Sequence, residues 1–164
     1  MQADRFTIKS QEAVAGAQRL ATASRTPEIS PTHLLAALLD QEDGLVVPML
    51  QSLEVDVPGL RERVAAKIDE LPTLSGDAEP EVRPSSLLTK VLQRAEKEMA
   101  GLSDEYISVE HLLLALASSD SGIAGVLPDH DALVKAISEI RGPTGSRRRT
   151  PRTPSRRSRS TGAT

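Results

Sequence analysis

Ile29-Ser-Pro-Thr-His-Leu-Leu-Ala-Ala-Leu38 returns 78 positions later as Ile107-Ser-Val-Glu-His-Leu-Leu-Leu-Ala-Leu116, with seven of the ten positions identical. Each copy sets a serine before a leucine-rich run. Serine at an N-cap accepts an orphan backbone N–H, and the proline after Ser30 has the backbone angle of a first helical residue. Leu34, Leu35, Leu38 and Leu39 fall on one helical face, an apolar stripe that needs a partner. The two runs therefore predict two capped, core-facing helices, one in each half of a duplicated unit.

The shift of 78 extends beyond the motif. It pairs Thr7 with Ser85, Val14 with Leu92, Ala17 with Ala95 and Gly44 with Gly122. Thr7 is expected to cap a helix from Ile8 to about Thr22, whose inward face (Ala13, Val14, Ala17, Leu20, Ala21) is mostly small. Leu60, Val64, Ile68 and Leu71 predict a helix stopped by Pro72. In the second half, Ser85 caps a helix carrying Leu88, Val91, Leu92, Ala95 and Met99, with Gly101 as its stop. Ser108 caps 109–117, and Leu133, Ala136, Ile137 and Ile140 mark a last helix before Gly142. Each half thus reads helix, capped leucine-rich helix, short helix led by Gly44 or Gly122, last helix. The fold class is all-α: two four-helix repeats, about 7–71 and 85–141, forming one pseudo-two-fold domain, since one copy alone buries too little apolar surface. The stretch 72–84, with Pro72, Gly76, Pro80 and Pro84, is expected as an exposed loop.

Charge divides the chain elsewhere. Of 164 residues, 20 are Lys or Arg and 23 Asp or Glu, for a net −3. Seven of those arginines (147, 148, 149, 152, 156, 157, 159) lie in 142–164, which holds no acid, so 1–141 carries 13 basic and 23 acidic residues, net −10. The composition excludes several chemistries. Without cysteine there is no disulfide scaffold, thiol nucleophile or thiolate metal site. One Phe, one Tyr and no Trp cannot build a base-stacking platform. No apolar run approaches the ~20 residues of a membrane helix, and the N-terminus lacks a signal-peptide apolar region. A cytoplasmic protein with no membrane role is expected. The dispersed acids and the lack of a Gly-x-Ser-x-Gly elbow offer no catalytic residues. His33 and His111, at the same place in both copies, are expected to bond structurally near the helix start. His130, between Asp129 and Asp131, is expected to be solvated.

The motifs Phe6-Thr-Ile-Lys-Ser-Gln-Glu-Ala13, Ile29–Leu39 and Asp104–Leu116 resemble the N-terminal domain of Clp ATPases. Asp40-Gln-Glu-Asp-Gly-Leu-Val-Val-Pro48 and Arg94-Ala-Glu-Lys-Glu-Met99 narrow the resemblance to the ClpB ring disaggregases. The resemblance spans about 4–142. It implies an eight-helix pseudo-dimer on a flexible linker above an ATPase ring, engaging unfolded or aggregated protein clients. It also implies that Thr7, Asp104 and Glu110 bind clients. Ile8, Leu88 and Leu92 are expected to offer an apolar floor. Read as local structure alone, Thr7 is an N-cap of ~1 kcal/mol, and the acids complement a helix dipole at ~0.3–1 kcal/mol.

No Gly-x-x-x-x-Gly-Lys-Ser/Thr loop occurs in the chain. No cofactor and no ATPase chemistry are therefore expected, but a monomeric binding module whose partners are protein clients and a full-length disaggregase. The resemblance stops near Arg141, which suggests a truncated or frame-shifted product over a free-standing domain. The Arg-rich 142–164 is expected to be disordered. It opens the alternative of a nucleic-acid or anionic-surface binder, disfavoured by the acidic body.

Overall fold

The structure is a computed structural model that describes residues 5–76 and 81–141. The Arg-rich stretch 142–164 and the loop residues Asp77, Glu79 and Pro80 lie outside the described residues.

Among the described residues there are seven α-helices. The first repeat holds α1 (Ile8–Ala23), α2 (Pro31–Asp40), α3 (Val46–Ser52) and α4 (Val57–Asp69). The second holds α5 (Ser86–Gly101), α6 (Val109–Leu116) and α7 (His130–Arg141). The expected third helix of the second repeat is a single 3-10 turn, Ala124–Val126. Gly122 leads into it with φ +88, and the short Ile-Ala-Gly-Val-Leu stretch between Gly122 and Pro128 leaves no room for two helical turns.

The serines and threonine do what their spacing implied. Thr7, Ser30 and Ser85 accept the N–H three residues on at the starts of α1, α2 and α5. Gly101, in contrast, is not a stop. It is the last residue of α5 but not its left-handed cap, and the left-handed residue just past the helix is Ser103, φ 60. Its counterpart after α1 is Arg25, φ 57. In both repeats the next N–H turns back onto the helix: Thr26 N–H to the Ala21 carbonyl, Asp104 N–H to the Met99 carbonyl, each at 3.0 Å. The conformation is thus repeated although the residue is not glycine, because backbone bonds on both sides hold it. α4 ends at Asp69, before Leu71, and Ile140 is exposed rather than part of the α7 inner face.

The core is leucine packed on alanine. Leu34, Leu35, Leu38, Leu112, Leu113 and Leu116 are fully buried, as are Ala17 and Ala95. α1 packs on α2 and α5 on α6, with the two leucine-rich helices meeting at the centre. A Cβ added at Gly16 would come within 3.2 Å of the Ala37 Cβ, so the small faces do bring α1 and α2 close. Burying six such leucines is worth ~1.5–3 kcal/mol apiece.

Two short parallel ladders tie the repeats together, and the 78-residue shift relates them. β1 (Glu28–Ile29) pairs with β2 (Arg83–Pro84), the end of the loop expected over 72–84. Phe6 bridges Ile107. In each ladder the segment leading into one repeat's first helix pairs with the segment leading into the other repeat's second helix. Backbone groups next to a helix start would otherwise be orphans. Here they serve as the clasp between the halves.

Candidate functional site

The Phe6–Ile107 ladder brings the starts of α1 and α6 side by side. Thr7 N–H donates to the Ile107 carbonyl at 2.9 Å, and Ile107 N–H donates to the Arg5 carbonyl at 2.8 Å. Thr7 Oγ1 accepts from Ser10 N–H at 3.2 Å as the α1 cap. Ser10, fully buried, donates its hydroxyl to the Ile107 carbonyl at 2.7 Å. A half-buried threonine is thus fixed against the lead into α6.

The α6 start is built around His111. Its Nδ1 accepts from Ser108 N–H at 2.9 Å, which closes a capping box with Ser108. The ring proton is therefore assigned to Nε2, which donates to Asp104 Oδ2 at 2.7 Å. The imidazole is fully buried. Burial, the largest influence, holds its pKa below the usual 6.5 despite the bond to Asp104 and the nearby carboxylates. His111 is neutral at physiological pH and orients the Asp104 carboxylate.

Arg141, the last residue of α7, closes over the same place. Its Nη1 donates to Asp104 Oδ1 at 3.2 Å, and its Nη2 donates to Asp104 Oδ2 at 2.8 Å and Glu110 Oε2 at 3.0 Å. Burial works against the guanidinium charge, but the bonds to Asp104 and Glu110 outweigh it and raise the Arg141 pKa. Glu110 is buried, whereas the Asp104 and Arg141 side chains keep 24% and 26% exposure, so the cluster opens to solvent on one side. Two carboxylates, one guanidinium and a neutral imidazole leave it net negative.

The other repeat has the same scaffold without the charges. His33 Nδ1 accepts from Ser30 N–H at 2.9 Å, and its Nε2 lies 3.3 Å from Thr26 Oγ1. Burial likewise holds the His33 pKa down. The 78-residue shift puts Thr26 where Asp104 stands and Thr32 where Glu110 stands. The capping histidine is therefore a demand of the fold, met twice. The carboxylates are not.

Of the residues singled out from sequence, Asp104 and Glu110 are joined through Arg141, and Thr7 is bonded across the ladder to Ile107. Ile8, beside Thr7, is 74% exposed, and Tyr106, beside Ile107, is 54% exposed. Leu88 corrects the expected apolar floor. It is 1% exposed and belongs to the core, since the shift aligns it with buried Ser10. Leu92 is half-buried against that core. His130 is also corrected: it starts α7 and bonds to Glu98 Oε2 at 2.8 Å, beside Arg94. Arg141 was missed. Its only sequence signal is a cation in a last helical turn, and its partners stand 37 and 31 residues away. Among the described residues no group of three or more His, Cys, Asp or Glu could hold a metal ion, and no helix is long and apolar enough to cross a membrane. The arrangement offers hydrogen bonds, a negative charge and adjacent apolar surface.

The Clp repeat (R) N-terminal domain family matches residues 5–130. The chain is 38% identical over 144 residues to chaperone protein ClpB of Rhodopirellula baltica, covering 85% of this chain and 16% of that protein. It is 36% identical over 134 residues to ClpB of Mycobacterium tuberculosis, covering 81% and 16%. The chain thus spans about a sixth of the length of these relatives. Among solved structures, the Hsp104 N-terminal domain from Candida albicans superposes with a TM-score of 0.71 at 24% identity, covering 84% of this chain and 91% of that one. The N-terminal domain of the ClpV1 ATPase from E. coli gives 0.68 at 22% identity, covering 84% and 85%. A ClpV N-domain in complex with a VipB peptide gives 0.58 at 21% identity, covering 82% and 78%. At these identities the likeness is one of fold.

Proposed function

We propose, from the premise that this chain belongs to the Clp repeat (R) N-terminal domain family, that its folded body is a binding module for unfolded or aggregated polypeptide. The contact surface is the joint between the starts of α1 and α6. There Thr7, Asp104 and Glu110 supply polar contacts to a client backbone and side chains, and Ile8 with Tyr106 supplies apolar contact. A ClpV N-domain of related fold is known with a peptide bound, which supports a polypeptide ligand. In this reading the chain binds without ATP chemistry, in the cytoplasm, as a monomer. Two repeats act as one unit, and a full-length disaggregase is a further partner.

The observation that carries the reading is the broken symmetry. Both repeats build the same histidine-capped helix start, but only the second places two carboxylates on it, partly open to solvent and next to exposed apolar side chains. A purely structural device would serve both halves alike. Affinity at one such surface is modest, and several copies acting together would raise it.

The test is a titration of a fluorescently labelled, permanently unfolded polypeptide with the chain and with its Thr7→Ala/Glu110→Ala variant. Arg141 keeps Asp104 in the variant, so circular dichroism should show unchanged helicity. Client affinity is expected to drop about tenfold, the loss of one or two charged or polar hydrogen bonds. Equal affinity of the two proteins would refute the site.

A further inference from the structure

We infer that a non-helical segment of a separate polypeptide docks across the turn between α5 and α6 with a backbone N–H on the Ser103 carbonyl. It does so in the way this chain's own residues 74–76 dock across the turn between α1 and α2. That the segment belongs to a client rests on the function proposed above; the docking mode does not.

The two turns share one backbone. Arg25 and its counterpart at the 78-residue shift, Ser103, are both left-handed, φ 57 and φ 60. Arg25 N–H donates to the Thr22 carbonyl at 3.1 Å, and Ser103 N–H to the Ala100 carbonyl at 3.0 Å. The next N–H returns to the Ala21 carbonyl in one repeat and to the Met99 carbonyl in the other, both at 3.0 Å. The carbonyl of the left-handed residue shares a planar trans peptide unit with that returning N–H. It therefore points the same way in each repeat, away from the helix end.

In the first repeat a strap of chain uses that carbonyl. Leu74 N–H donates to the Arg25 carbonyl at 2.7 Å. The Arg25 guanidinium holds the same stretch, donating from Nε to the Leu74 carbonyl at 3.2 Å and from Nη2 to the Gly76 carbonyl at 2.8 Å. All three bonds go to the backbone of the strap, whose residues 72–75 are neither helix nor strand. In the second repeat the Ser103 carbonyl accepts no hydrogen bond among the described residues. Ser103 is exposed, and a Cβ added at Gly101 would meet nothing within 4 Å, so the outer side of this turn is open. Water satisfies an exposed carbonyl in the ordinary case. Here the same backbone, built a second time in the same molecule, carries a polypeptide instead.

The ligand so defined is a chain with free backbone N–H groups. That describes an unfolded polypeptide, since a folded one spends its amides in helices and sheets. Bonds to backbone alone make the contact tolerant of sequence. Serine has one hydroxyl donor where arginine has a fork of N–H groups, and a separate chain lacks the tether that keeps the strap in place. The second turn therefore holds its ligand more weakly than the first holds residues 74–76, and the ligand exchanges.

The probe is a peptide of the strap's own sequence, residues 71–76 (Leu-Pro-Thr-Leu-Ser-Gly), acetylated and amidated, titrated into the isotope-labelled chain. Backbone amide shifts are expected to move at 102–106 and to stay in place at 24–28, where the tethered copy already sits. Replacing the amide before the peptide's second leucine with an ester removes the N–H donor without adding bulk. It should weaken binding about fivefold, the worth of one hydrogen bond. Ser103→Arg, a side chain whose fit to this backbone Arg25 demonstrates, should tighten binding about fivefold or more. Equal binding of the ester and the parent peptide, or shifts that bypass 102–106, overturns the inference. A permanently unfolded client should displace the peptide. If the peptide binds at 102–106 through its N–H but the chain binds no client, the functional proposal fails and the docking mode stands.

Discussion

Replacing Arg141 with methionine removes the guanidinium while keeping an unbranched stem and a good helix former. Three N–H···O contacts of 2.8–3.2 Å disappear. Asp104 retains the bond from His111 Nε2, but Glu110, with an 11% exposed side chain, loses its cation. A fully buried pair broken on one side costs ~3–5 kcal/mol, and an exposed one ~0–1 kcal/mol. With Arg141 itself 26% exposed, an intermediate cost of about 2 kcal/mol is expected. Of this, about 1 kcal/mol should couple to Glu110 and a similar amount to Asp104. Urea denaturation followed by far-ultraviolet circular dichroism measures the cost, and cycles with Glu110→Gln and Asp104→Asn measure the coupling. Loss of less than about 0.5 kcal/mol, or coupling indistinguishable from zero, would mean that α7 simply frays at its end. The picture of a fixed ion cluster would then be wrong.

Acid should destabilise the domain through its two capping histidines. Burial holds both pKa values below 6.5 in the folded chain, so the unfolded chain binds protons more readily. The contribution to stability is complete above about pH 6.5 and is lost as pH falls, by up to about 1.4 kcal/mol per unit for each histidine. Urea midpoints between pH 7.5 and 5.5 should fall less in His33→Gln/His111→Gln than in the parent, and parallel curves would contradict the assignment. Leu88→Ala should cost about 2–5 kcal/mol, as a fully buried leucine does. It should leave client affinity unchanged per folded molecule, and a weakened affinity at full folding would return Leu88 to the binding surface.

The duplication, the helix caps and the leucine core were readable because each is a local pattern with a fixed period. A serine three residues before the N–H it accepts, or a leucine four residues from the next, has its partner within one helical turn. Short features without such a period were misjudged. The third helix of the second repeat shrank to a 3-10 turn, and Gly101 yielded its stopping role to Ser103. Leu88 and Ile8 show the same limit from another side. Both are apolar residues near a helix start, yet one is sealed in the core and the other is exposed. That choice depends on where each helix faces its neighbours.

The candidate site divides along the same line. By itself the sequence determined that two histidine-capped helix starts recur, that only the second carries Asp104 and Glu110, and that the folded part is acidic while 142–164 is cationic. The tertiary structure alone decided that α1 meets α6 through the Phe6–Ile107 ladder, placing Thr7 against Ile107, and that Arg141 neutralises part of the charge of those acids. The reason is physical. A cap or an apolar stripe is satisfied within a few residues, whereas an ion pair across 31 or 37 residues exists only once packing has brought its ends to within 3 Å or so of each other.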